Sequence, residues 1–272
     1  MKIIILGSTG MLGNVVSRYF IKQYGEDNVF LSYRNKNIDI KKNMFFLDAL
    51  NFNYKECVLP ECDYIINCIG AIKQIKDWNT YESIKINSCF PWELGKYCEY
   101  KNSKLIHITT DCVFSGKDGN YNEESLHDPL DEYGKSKSLG EVQGKNVITL
   151  RTSIIGEEIY KNISLISWVK SQMGKNINGY INHFWNGITT LQYAKVCDSI
   201  IKEKLCDNGL YHIFSNVVSK YDLVNIINDH FNLDITVDSF KADPSCDRTL
   251  STTKDLNSQL NIPSIKEQVD SI

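Results

Sequence analysis

An α/β fold, a doubly wound parallel sheet with a small C-terminal lobe, is what this sequence predicts, and three observations carry it. Apolar runs alternate with longer amphipathic stretches as far as about residue 150. The first run ends in a glycine-spaced turn that opens a helix. The alternation loosens after Arg151. Strands alternating with helices argue for a parallel sheet covered on both faces.

The elements follow in order. Lys2–Leu6 reads as a buried strand and Met11–Tyr24 as a helix. Asn28–Ser32 and Asn43–Leu47 read as strands, as does Asp63–Cys68. Thr80–Tyr100 is a long helix, Lys104–Ile108 a strand, Asp131–Gly144 a helix and Asn146–Leu150 a strand. Later, Ser164–Gln172, Gln192–Lys204 and Lys220–Phe231 read as helices and Leu210–Phe214 as a short strand, while the tail from Asp243 is polar and loop-like. Residues 1–155 form the main domain, to which the chain returns at about 187–215; 156–186 and 216–272 form the small lobe.

Composition excludes several classes. With 42% apolar and 23% charged residues, the 272-residue chain can build an ordinary globular core. A net charge of −3 sets up no field that would draw it to nucleic acid or an anionic membrane. The nine cysteines are scattered, with no Cys-x-x-Cys pair and no zinc spacing, so no metal is expected. They read as reduced thiols. No signal peptide or membrane-length apolar run is expected, and a cytoplasmic location follows.

Gly7-Ser8-Thr9-Gly10-Met11-Leu12-Gly13 stands between a strand and a helix. One glycine permits the tight turn, one lets the backbone approach a pyrophosphate, and one lets helix and strand pack closely. The helix N-terminus then offers free amides and the positive end of its dipole. This is the signature of a Rossmann-type dinucleotide site. The blander reading is a tight turn with no ligand. An acidic residue at the end of the second strand would bond the ribose hydroxyls and favour NAD. Ser32-Tyr33-Arg34-Asn35-Lys36 has none. Arg34 and Lys36 suit a 2′-phosphate, so NADPH is the expected cofactor, with NADH the alternative; Lys36 reads equally well as a solvated loop residue.

Tyr133 and Lys137 are spaced to share a helix face. A tyrosine of pKa about 10 is a poor acid/base at neutral pH. An ammonium roughly 4 Å away would favour its phenolate by up to about 4 kcal/mol at an effective dielectric of about 20, close to three pKa units. The same spacing recurs at Tyr81/Lys85, Tyr97/Lys101 and Tyr100/Lys104, which read as helix-surface pairs or chance. Only Tyr133/Lys137 follows a strand whose carboxyl end carries hydroxyls, Thr109-Thr110-Asp111.

The Gly-x-x-Gly-x-x-Gly form resembles the extended short-chain dehydrogenases/reductases. Residues 109–116, then Gly119-Asn120-Tyr121-Asn122-Glu123-Glu124, Asp128-Pro129-Leu130, Tyr133-Gly134-Lys135-Ser136-Lys137, Gly140-Glu141 and Arg151-Thr152-Ser153-Ile154-Ile155-Gly156, resemble the dTDP-4-dehydrorhamnose reductase family within it. Asn186-Gly187-Ile188-Thr189-Thr190 and Asp247-Arg248-Thr249-Leu250-Ser251 extend the likeness more weakly. The resemblance implies that Thr110 bonds the substrate carbonyl, Tyr133 donates the proton, and Lys137 lowers the tyrosine pKa and bonds the nicotinamide ribose. It places Cys68, Ile69, Gly70 and Thr109 along the cofactor, Asp48 and Ala49 near the adenine, and Asp111 with the substrate. Asn87 would support a water beside Lys137, or is a helix-surface residue.

A nucleotide-sugar substrate needs cations for its phosphates and aromatic surface for its base. Arg248 is the leading phosphate candidate; Lys175, His183 and Trp185 are weaker ones. Core packing is favoured for Trp168 and Trp185, and packed or surface roles for His107 and His230. The implied activity is NADPH-dependent reduction of a 4-keto-6-deoxy sugar nucleotide for surface polysaccharide, with a homodimer left open. Related 4,6-dehydratases carry Asp-Glu after the threonine, whereas here Asp111 is followed by Cys112. An epimerase/reductase, which needs an extra Cys and His, and a non-catalytic regulatory subunit, as in methionine adenosyltransferase, are the alternatives.

Overall fold

The computed structural model describes residues 1–34, 39–72, 79–158 and 163–272. In chain order its first half holds β1 (Ile3–Leu6), α1 (Met11–Tyr24), β2 (Val29–Tyr33), β3 (Met44–Phe46), β4 (Tyr64–Asn67), α2 (Thr80–Ile84), α3 (Phe90–Lys101), β5 (Lys104–Thr110), α4 (Glu132–Leu139) and β6 (Val147–Thr152). The second half holds β7 (Ile154–Ile155), α5 (Leu165–Lys170), β8 (Asn176–Tyr180), β9 (His183–Trp185), β10 (Ile188–Thr189), α6 (Thr190–Glu203), β11 (Gly209–His212), β12 (Val218–Ser219), α7 (Lys220–Phe231), β13 (Thr236–Phe240), β14 (Cys246–Asp247), α8 (Leu256–Gln259) and α9 (Ile265–Asp270).

Seven strands form one parallel sheet in the order β11-β6-β5-β4-β1-β2-β3. The chain runs outward from β1 to β3, returns to β4 and runs out the other way. The crevice at the carboxyl ends of β1 and β4 is therefore the switch point where such sheets bind ligands. The fold class expected from the sequence is the one found.

Strands buried on both faces need unbroken apolar runs. Ile3–Leu6 is fully buried, with Ile3 and Ile5 facing a core that α1 and α6 complete through Val16, Phe20, Tyr193 and Ile200. Ile4 and Leu6 face the other core, closed by Ile86, Phe90 and Leu94. Each such apolar side chain contributes about 1.5–3 kcal/mol by leaving water. The Tyr19 and Tyr24 hydroxyls donate to the buried Asp198 carboxylate at 3.0 and 2.6 Å, tying α1 to α6. A third core gathers Val169, Trp185, Leu223, Ile227 and Val269 under the small sheets β12-β9-β14 and β13-β8.

Three local expectations are corrected. Helix α4 stops at Leu139 rather than running to 144. A Cβ on Gly140 would come within 2.8 Å of the Asn87 carbonyl carbon, so the chain is pinned there and leaves the helix. The tail is not merely loop: Cys246–Asp247 pairs with His183–Phe184, a contact invisible to local composition. Helix α9 follows from a capping box, Ser264 with Glu267, whose Ser-x-x-Glu spacing was readable. Strands β8 and β13 were missed because their residues are polar and their exposed edge carries no apolar alternation.

Candidate active site

The glycine turn folds as its spacing demands. Gly7 sits at φ +77°, open to glycine at little cost, with its amide donating to the Ser32 hydroxyl at 2.8 Å. A Cβ on Gly13 would run into the Gly7 carbonyl, 2.6 Å from its carbon, so the helix lies directly on the turn. Gly10 caps α1 with no side-chain hydrogen bond, and the first turn carries no acidic residue. Among the described residues no side chain caps the start of α1, and a cradle that a side chain would fill is kept open. That fits a dinucleotide pyrophosphate. Thr9 and Met11 line the turn half-buried, Leu12 is buried beneath it, and Arg34 is exposed directly after β2. Lys36 lies outside the described residues.

Cys68, Ile69 and Gly70 follow β4 and wall the crevice. A Cβ on Gly7 would meet Ile69 Cγ1 at 3.0 Å, and one on Gly70 would meet Lys137 Nζ at 4.0 Å, so the turn, this wall and the lysine are contiguous. Burial pushes the Cys68 thiol far above its ordinary range, so it is not a nucleophile. Ala49 is buried, while Asp48 caps its own turn, accepting from Leu50 N at 3.1 Å and Asn51 Nδ2 at 2.7 Å.

Asn87 is not a surface residue. It is buried in a π-helical segment, Lys85–Cys89, accepting from Ala71 N at 2.9 Å and donating to Ala71 O and Ser136 Oγ at 2.8 and 3.1 Å. It braces the wall against α4. The extra residue of a π turn, a frequent device at functional sites, delivers it.

Thr110, Tyr133 and Lys137 converge. Thr110 ends β5, its hydroxyl capping the turn that follows (Cys112 N at 3.1 Å), donating to Asp111 Oδ1 at 3.1 Å, and close enough to the Tyr133 phenol to oppose the rise of its pKa. Lys137 is buried and donates to the Ile108 carbonyl at 3.0 Å. Burial pulls its ammonium down to about 8, against the opposing pull of Glu141. Tyr133 departs from expectation. Burial, then Cys112, push its phenol well above the ordinary range, and only Thr110 works the other way. Desolvation of the phenolate outweighs the Thr110 contact. Thr109 also departs. Successive strand residues face opposite ways, and its hydroxyl donates to Glu141 at 3.2 Å instead of lining the cofactor wall.

On the substrate side, buried Asp111 has its carboxyl pushed up by burial, opposed by Arg248, Thr110, Lys220 and Ser153. Arg248 reaches back from the tail and donates to the Phe114 carbonyl at 3.0 Å. Lys220 was missed by the sequence reading. It starts α7, rides 4.9 Å over the Trp185 ring, and faces Asp111, Cys112 and Cys246 with its ammonium pushed down by burial. A lysine at the first position of a helix, where the dipole disfavours a cation, was the available signal.

The remaining candidates are not brought here. Lys175 is exposed and donates to Ser171 O at 3.2 Å; the His183 ring lies 3.2 Å from the Pro244 carbonyl. Trp185 packs in the core as expected, but Trp168 is 42% exposed. Tyr97 is a core residue, not a surface one, its hydroxyl accepting from Leu59 N at 3.3 Å. His107 is fully buried beside Asn67.

The sequence profile of the RmlD substrate binding domain matches residues 1–271. The chain belongs to that family. Among curated relatives, methionine adenosyltransferase 2 subunit beta of Danio rerio is 28% identical over 247 residues, spanning 85% of this chain and 74% of its own. The probable low-salt glycan biosynthesis reductase Agl14 of Haloferax volcanii is 29% identical over 160 residues, 56% of this chain and 52% of its own. Spore coat polysaccharide biosynthesis protein SpsK of Bacillus subtilis is 25% identical, covering 87% and 81%. Among solved structures, a hypothetical dTDP-4-dehydrorhamnose reductase of Sulfolobus tokodaii superposes with TM-score 0.75 at 24% identity, over 96% of this chain and 93% of that one. The dTDP-4-dehydrorhamnose reductase of Bacillus anthracis in complex with NADP superposes with TM-score 0.75 at 19% identity, over 99% and 97%. These structural likenesses establish the fold. Among the described residues, no helix is long and apolar enough to cross a membrane.

Proposed function

We propose that this protein reduces the 4-keto group of a 6-deoxy sugar nucleotide with NADPH. The observation that carries the reading is the convergence of Thr110, Tyr133 and Lys137 on the wall that also holds the glycine cradle. The cradle amides and the helix dipole of α1 would hold the pyrophosphate, and exposed Arg34 the 2′-phosphate. When bound there, the nicotinamide supplies the hydride. Thr110 holds and polarises the substrate carbonyl. Tyr133 begins as a neutral phenol, the state its burial favours, and gives its proton to the carbonyl oxygen. Lys137, fixed by the Ile108 carbonyl, stabilises the phenolate left behind. Arg248 and Lys220 offer the sugar's diphosphate two cations.

In this reading residues 1–155 carry the cofactor and the 216–272 segment closes on the sugar. The carbohydrate-linked relatives support the reading. Purified protein is expected to oxidise NADPH with a dTDP- or UDP-4-keto-6-deoxy sugar. No turnover across a broad panel of keto-sugar nucleotides refutes it. A second reading, a cofactor-binding regulatory subunit, is favoured by the length of the match to methionine adenosyltransferase 2 subunit beta. Under it the protein binds NADPH, consumes none, and copurifies with a stoichiometric enzyme partner.

A further inference from the structure

Arg151 is fully buried, and every one of its partners is identifiable. Nε and Nη2 donate to the two Glu141 oxygens at 2.8 and 2.5 Å, Nη1 to His212 Nε2 at 2.6 Å, and Nη2 also to His127 Nε2 at 2.7 Å. Its plane lies 5.0 Å over the Phe114 ring. Because both imidazoles accept at Nε2, each carries its proton on Nδ1, which donates to Ser251 O in His212 and to Ser138 Oγ in His127, both at 2.7 Å. Both rings are therefore neutral. Burial, then the guanidinium, hold His212 down at about 4; burial also lowers His127, with Glu141 and Asp128 opposing. A buried pair of this kind is a poor stabiliser, since apolar residues of the same volume do as well. Its position points to another use.

We infer that Glu141, clamped by Arg151, is a positioning residue that holds a fixed negative charge behind the Lys137 ammonium. The two side chains hang on consecutive residues of β5: Glu141 accepts from the Thr109 hydroxyl at 3.2 Å, and Lys137 donates to the Ile108 carbonyl at 3.0 Å. They also leave one end of one helix, with Gly140 N donating to Lys137 O at 3.0 Å. Of the titratable groups around Lys137, Tyr133 is neutral and His107 is held uncharged by burial; Glu141 is the carboxylate that opposes the cost of burying the ammonium. Arg151 holds that carboxylate in place through both of its oxygens. On the far side, Glu123 meets the backbone of His212, so the clamp extends to the tail through Ser251 and Thr252.

The inference draws its meaning from the reductase reading, but its test does not use the reaction. In full-length protein with lysine labelled at 13Cε, the Lys137 resonance, assigned by its loss in Lys137→Met, is titrated without ligand. Glu141→Gln is expected to lower the midpoint by about one pH unit, the lower end of the effect of a neighbouring opposite charge. Glu141→Asp, which keeps the charge but withdraws it by a methylene, is expected to lower it by a fraction of that. An unchanged or raised midpoint in a variant with a native circular dichroism spectrum overturns the inference. If Glu141→Gln does not fold, Glu141→Asp alone decides: a lower midpoint supports it and an unmoved one overturns it. A shift found in a protein that turns over no sugar nucleotide leaves the inference standing and removes the reductase reading.

Discussion

Substituting Gly13 and Gly10 separately divides packing from cofactor contact. In Gly13→Ala the new methyl lies against the Gly7 carbonyl, 2.6 Å from its carbon and 3.1 Å from Ser8 Cα, where 3.4 Å or more is ordinary. The Gly7 carbonyl oxygen lies closer still, so turn and helix must separate by more than 1 Å. Overpacking of this kind costs about 1–3 kcal/mol, which lowers the melting temperature by about 5 °C in a protein of this size. The same movement misaligns the α1 amides. Losing two hydrogen bonds to a charged phosphate, at about 1.5–3 kcal/mol each, weakens NADPH binding about 100-fold or more. In Gly10→Ala the methyl meets only the Gly7 oxygen, at 3.4 Å, and φ is not positive. The fold is undisturbed, but the methyl stands where the pyrophosphate would approach. Fluorescence titration of NADPH with thermal unfolding reads both. Gly13→Ala should lose both properties and Gly10→Ala affinity alone. A Gly10→Ala protein that binds NADPH as the parent does refutes the placement of the pyrophosphate, and an unchanged melting temperature in Gly13→Ala refutes the packing argument.

Further expectations concern the chemistry. Because burial lowers Lys137 to about 8 from an ordinary 10.5, its charge is lost as pH rises through about 8, and kcat/KM should fall on that alkaline limb; a profile flat to pH 10 contradicts this. Tyr133→Phe removes the proton donor and should lower kcat about 10²–10⁴-fold with little change in NADPH affinity, measured by stopped-flow oxidation and fluorescence titration. Arg34→Ala should weaken NADPH about tenfold while leaving NADH unchanged, since only the former has a 2′-phosphate to lose. Lys220→Met keeps the packing over Trp185 and removes the charge, and should raise the KM for the sugar nucleotide without affecting cofactor binding; equal effects on both would show that it supports the fold instead.

The sheet was legible because its strands are buried on both faces and so appear as unbroken apolar runs, as Ile3–Leu6 and Ile65–Ile66 do. The glycine turn was legible because close approach leaves no alternative residue. Thr110, Tyr133 and Lys137 were found by placing a weak spacing after the right strand. What escaped depends on partners distant in sequence. Lys220 matters only because β12 beside it pairs with β9 and so sets it over Trp185. Cys246–Asp247 is a strand only against His183–Phe184. The sign at Tyr133 was also beyond reach, since spacing conveys the neighbouring ammonium but not the burial that opposes it.

The most direct test of the central claim is the product of one incubation: purified protein, NADPH deuterated at the transferable position, and a dTDP-4-keto-6-deoxy sugar. Stoichiometric NADPH consumption, deuterium at C4 of the product, and loss of both in Tyr133→Phe are the expected results. Tight NADPH binding with no consumption and no deuterium in the sugar would contradict it.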